Sequence, residues 1–249
     1  MRTDMLIRRG LLFAATTLTA AALASATGVP AQAAAPAAGV AVQAADQAAN
    51  LANAKKLTTV RIDGRLAVLR AEGVAIRNAA RLTDAHQAAL QKTLDADIAG
   101  LTELRAKVAA ETTLEAVRAD ARSMVEDYRV YLLVRPQVHL TLAADVESAA
   151  LTRLRTLHGK LAGAVTAAQS GGKDVGDAEA KLAHLKSELD ATESALSGLV
   201  EDLLAVQPGP DATAIKAKTT AARADVRTAR THLRAAATDA KAVRDLLKP

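Results

Sequence analysis

An all-α fold is predicted by three features of this sequence. Half of the 249 residues are apolar, and these are mostly Ala, Leu and Val, with only three aromatics, Phe13, Tyr128 and Tyr131. Strands draw on β-branched and aromatic residues, so this composition argues against a β-sandwich or a doubly wound sheet. Charged and apolar residues also alternate at helical spacing over long stretches, as expected of amphipathic helices. The expected architecture is an elongated antiparallel helical bundle, or coiled-coil hairpins, of about six helices after a signal peptide.

The N-terminus reads as an export signal over residues 1–33. Arg8 and Arg9 precede an apolar h-region over 11–23, and Ala31-Gln32-Ala33 is a small-x-small cleavage site, with Ala24-Ser25-Ala26 as an alternative. The apolar part falls short of the ~20 residues a membrane span needs. Arg8-Arg9-Gly10-Leu11-Leu12 fits the twin-arginine pattern, and the general secretion route stays open beside it. Residues 34–45, with Pro36 and Gly39, read as a flexible leader. The expected location is therefore secreted or extracytoplasmic, in the cell envelope or the medium.

From residue 46 an N-terminal helical region of about three helices is expected to extend to 135. Its first segment, 48–80, carries Ile62, Leu66, Leu69, Gly73, Ile76 and Ala80 on one face. Thr83 is placed to cap a second, with Leu90, Leu94, Leu101, Leu104 and Val108. Thr112 followed by Glu115 reads as a capping box opening the third. Pro136 then either starts a fourth helix or kinks a continuous one, because proline removes a backbone donor.

The C-terminal region, 136–249, contains two turn signals, Ser170-Gly171-Gly172 and Pro208-Gly209-Pro210. Between and after them lie the most regular segments. The fifth places Val175, Ala178, Leu182, Leu185, Leu189, Thr192, Leu196, Leu199 and Leu203 at steps of three and four. The sixth repeats this with Ile215, Thr219, Ala222, Val226, Ala229, Leu233, Ala236, Ala240, Val243 and Leu247. That spacing predicts an antiparallel coiled-coil hairpin over 174–249. Residues 174–204 hold eight acids against two lysines, and the chain from 211 holds nine Lys or Arg against four Asp. Charge pairing between an acidic and a basic helix would set their orientation.

The sharpest functional feature is a basic stripe on the sixth segment: Arg223, Arg227, Arg230, Arg234, Lys241, Arg244 and Lys248. It reads either as a face for an acidic envelope polymer, nucleic acid or a membrane surface, or as a flank that pairs with the acidic fifth segment. The second reading is the plainer one, since the aromatics that stack single-stranded bases are missing. Tyr128, Tyr131 and Arg135 form a second candidate, a partner patch at a helix junction; the plainer reading is that the rings fill a gap alanine cannot.

Catalytic chemistry finds no footing. The absence of Cys excludes disulfides, thiol catalysis, thiolate metal sites and lipid attachment at an N-terminal cysteine. Ser170-Gly171-Gly172-Lys173 has the Ser-x-x-Lys spacing of penicillin-recognising enzymes, but two glycines interrupt the helical turn that chemistry needs. No two of His86, His139, His158, His184 and His232 form a ligand pair, and His184 with Glu188 reads as a surface hydrogen bond. No cofactor or metal is expected. The net charge of +5, about +3 beyond residue 33, gives no strong nucleic-acid signal.

The segment from Asp127 to Gln137 (Asp-Tyr-Arg-Val-Tyr-Leu-Leu-Val-Arg-Pro-Gln), followed by Leu140-Thr141-Leu142-Ala143-Ala144-Asp145, is similar to a junction in a group of alanine-rich exported helical proteins of high-GC Gram-positive bacteria. That resemblance implies export and a helical fold and brings no activity with it. The leading expectation is a non-enzymatic structural or protein-interaction role. Polyanion binding through the basic stripe is second, and self-association through the seam of the fifth and sixth segments is also open.

Overall fold

A computed structural model of the chain describes residues 35–248, with side chains from residue 42. The export signal read over 1–33 lies outside the described residues. Among those described the protein is all-helical, as the composition predicts. Five long helices, α1 (Ala35–Arg77), α2 (Asp84–Ala110), α4 (Arg135–Ser170), α5 (Gly176–Leu196) and α7 (Ala212–Leu246), are joined by two shorter ones, α3 (Leu114–Glu126) and α6 (Leu199–Leu204). A π-turn, Val130–Val134, leads into α4. The residues from Ala45 onward form one compact unit. No described helix is long and apolar enough to cross a membrane.

Helix boundaries follow local chemistry. The Thr83 hydroxyl accepts from the His86 amide at 3.2 Å, capping α2 as its position predicts. At α3 the cap is Thr113, which accepts from the Ala116 amide at 3.2 Å, one residue later than the expected Thr112. Gly172, at φ 82°, ends α4 in a left-handed turn. The fifth segment is not continuous to Leu203. It breaks at Ser197-Gly198, where Gly198 takes φ 68° and α6 starts in a new direction. Its apolar spacing carries across the break, so periodicity alone does not reveal it.

Pro136 lies in the first turn of α4. Arg129, in the left-handed region at φ 43°, opens the π-turn, and its carbonyl accepts from the amides of Leu132, Leu133 and Val134. Proline offers no N–H to the Leu132 carbonyl and its ring crowds that oxygen, so a widened turn just ahead of it removes the conflict.

The core has three buried clusters, and α4 contributes to all of them. Val134 and Val138 pack with Ile62, Leu69, Leu94, Leu101 and Val117 of α1–α3. Leu140 and Ala144 pack with α6 and with Ala222 and Val226 of α7. Leu151, Leu161 and Val165 pack with Leu185 and Leu189 of α5 and with Leu233, Ala236 and Val243 of α7. Helices α5 and α7 make the closest-packed pair, because fully buried Ala229 and Ala236 allow near approach. They run antiparallel: Lys173 contacts Lys248, His184 contacts Asp239, and Glu188 contacts His232.

Candidate anion-binding face

The seam of α7 assigns its neighbours to two flanks. With buried residues at steps of four and three from Ile215 to Val243, Lys218, Asp225, His232 and Asp239 fall on one side of the seam. Arg223, Arg230 and Arg244 fall on the other, and Arg227, Arg234, Lys241 and Lys248 stand one turn further out behind them. All seven residues of the predicted stripe are exposed.

Contacts show which flank meets α5. Asp239, buried, accepts from Lys181 at 3.3 Å and pairs with His184, while the His232 Nδ1 lies 2.7 Å from Glu188. Burial acts to raise the Asp239 carboxyl, but the His184 and Lys181 bonds outweigh it and hold the group below its ordinary value. Two further acids of α5 look elsewhere: Arg155 of α4 grips Glu193 through two bonds of 2.8 and 2.6 Å, and Lys186 takes Asp190 at 2.6 Å.

The stripe lies on the opposite flank, so its expected pairing with acidic α5 does not occur. Arg230 bonds the buried Glu147 of α4 at 2.7 Å. Lys248 bonds Asp245 at 2.7 Å, which, as the largest cause, holds that carboxyl below its ordinary value. Arg244 stands 3.8 Å from the same group. Among the described residues Arg223, Arg227, Arg234 and Lys241 have no carboxylate within 4 Å. The sequence sums charges over a whole helix, whereas pairing depends on which flank faces the neighbour.

No known protein family, no curated protein and no solved structure matches this chain. Function therefore rests on the geometry itself.

The second candidate patch is divided by the fold. Tyr128 lies against Gly100 of α2, where a Cβ would meet its hydroxyl at 2.5 Å, so its ring fills a gap between helices. Burial, and then the nearby carboxylates of Asp127, Asp97 and Glu103, raise its phenol above the ordinary value. Tyr131 is half exposed beside α1, with the Arg65 guanidinium 5.2 Å from its ring centre. Arg135 and His139 both reach the buried Glu72 of α1, each at 3.2 Å. Tyr131 thus ties the π-turn to α1 and Arg135 ties the start of α4 to it, while Tyr128 packs on α2.

Two anchors have no periodic sequence signal. Arg129 donates to the carbonyls of Gly209 and Pro210 at 2.7 and 2.8 Å, and buried Gln137 donates to those of Leu203 and Val206 at 2.9 and 3.1 Å. Together they latch the loop that orients α7. Asp145 caps the start of α2, accepting from the Thr83 amide at 2.8 Å and bonding the His86 ring at 2.9 Å. Among the described residues no three His, Cys, Asp or Glu side chains gather as a metal site.

Proposed function

We propose that this chain is an exported, non-enzymatic helical protein, with α5 and α7 as a coiled-coil hairpin, that binds an acidic polymer of the cell envelope or medium through the basic ridge of α7. The observation that carries the reading is the ridge's orientation. Four cations, Arg223, Arg227, Arg234 and Lys241, stand exposed one to two helical turns apart on the flank that α5 does not neutralise. Such a row raises the local concentration of a polyanion and releases its counterions on binding.

A second reading, a structural or protein-holding role, is favoured by the outer face of α1. Leu57, Val60 and Val74 are 52%, 60% and 49% exposed there, at spacings that put them on one line with Ala67 and Ala71.

The test is co-sedimentation of the purified chain with washed envelopes across a salt series, beside a variant with Arg223, Arg227, Arg234 and Lys241 changed to Gln. Arg230 is kept, because removing it strands the buried Glu147 carboxylate. Retention that falls steeply with salt and is lost in the variant is expected. Retention by the variant equal to the wild type would move the function to α1.

A further inference from the structure

Resting on the ridge reading, we infer that the ligand is a single extended phosphodiester chain without bases, held in the groove between α4 and α7 with Arg153 and Lys160 as its second wall. α4 and α7 run parallel, since both are antiparallel to α5, and the Glu147–Arg230 bond sets their level. Arg153 is six residues beyond Glu147, as Ala237, the one gap in the basic row, is seven beyond Arg230. Arg153 and Lys160, both exposed, stand roughly 150° round the helix from Arg155, at 100° per residue. Measured from Glu147, which meets the ridge, Arg155 turns about 80° toward α5, while Arg153 and Lys160 turn roughly 120° and 140° the other way, so they crest the outer edge of the α4 face that meets α7.

The chemistry of this groove is one-sided. α4 has only two acids, Asp145 and Glu147; both are buried, one against His86 and the other against Arg230, so α4 shows no exposed carboxylate. Val146 and Leu157, 47% and 39% exposed, lie on the same side of α4 and suit the aliphatic parts of a polymer backbone. Cations recur about once per helical turn of ~5.4 Å along the ridge, which follows a linear repeat of charges. Arginine binds phosphate oxygens through two parallel bonds, and this favours phosphate among anions. A flat bilayer would touch the two crests and leave the groove between them empty. Neither α4 nor α7 contains Phe, Tyr or Trp, so single-stranded nucleic acid would find no large ring to stack on.

The probe is linear inorganic polyphosphate of defined length, titrated into the full chain by calorimetry across a salt series, beside single-stranded DNA and phosphatidylglycerol vesicles. Affinity should rise with chain length to a plateau, with a log–log salt slope of roughly −4 for six contacts at about 0.7 per charge. Arg153→Gln with Lys160→Gln should weaken polyphosphate about tenfold and flatten the slope by roughly 1.4 at the same 0.7 per charge. Lys56→Gln with Arg61→Gln, on the outer face of α1, should change neither. Binding of vesicles but not polyphosphate, tighter binding of DNA than of polyphosphate, or indifference to the Arg153/Lys160 change overturns the groove while leaving the ridge standing. No binding to any polyanion at low salt overturns both.

Discussion

Arg129 holds the turn that aims α7, and its removal separates two physical effects at one residue. Its guanidinium donates to the Gly209 and Pro210 carbonyls at 2.7 and 2.8 Å, while its backbone sits at φ 43° in the left-handed region. A bond from a charged donor is worth about 1.5–3 kcal/mol when buried, but these are partly or fully exposed, so roughly 1 kcal/mol each is expected. Arg129→Ala loses both bonds and keeps the backbone strain, which predicts a loss of about 2 kcal/mol. In a unit of this size that lowers Tm by roughly 4–8 °C. Arg129→Gly loses the same bonds but relieves left-handed strain of about 1 kcal/mol, so it should be the more stable of the two. Urea unfolding followed by helical circular dichroism measures both, and hydrogen exchange over 205–211 should accelerate equally in each. If the alanine variant unfolds within 0.5 kcal/mol of the wild type, the latch does not anchor the loop. If the glycine variant is the weaker, the strained backbone is wrong.

Two further outcomes are expected. Asp97 has a buried Oδ2 without a hydrogen-bond partner, and burial pushes its pKa from 3.8 up to about 6. A carboxyl raised in the folded state is tolerated below pH ~4, and its ionisation costs stability as pH climbs to 6. Because the residue is partly exposed, solvent screening reduces the full shift to about 1 kcal/mol. Asp97→Asn should therefore gain about that much at pH 7 and nothing at pH 3.5; an equal gain at both values would exclude ionisation as the cause. Gly100→Ala places a methyl into the Tyr128 ring, and overpacking should outweigh the better helix propensity, for a net loss of about 1 kcal/mol. Adding Tyr128→Leu should restore most of it in thermal unfolding, and a Gly100→Ala variant more stable than wild type would show that the ring moves away freely.

Much of the helical framework is legible in the chain. Ile62, Leu66, Leu69 and Ile76, and likewise Leu90, Leu94, Leu101 and Val108, are buried where their spacing puts them, since a 3.6-residue period fixes which side chains share a face. Thr83 caps where a short polar side chain meets free amides. The break at Gly198 is less legible, because a glycine allows a left-handed turn without requiring one.

The class of fold, the apolar face of each long helix and the existence of a basic row on α7 all follow from the residues alone. Periodicity and charge are local properties, and they survive in any arrangement of the helices. Tertiary structure decided which flank of α7 meets α5, and hence that Asp239 and His232 take up the neighbouring charges while Arg223, Arg227, Arg234 and Lys241 remain outside. It also placed Arg129 and Gln137 on carbonyls more than sixty residues away in the chain. Such contacts depend on the rotation of one helix against another, which is set by how all three clusters pack around α4 and is carried by no single stretch of residues.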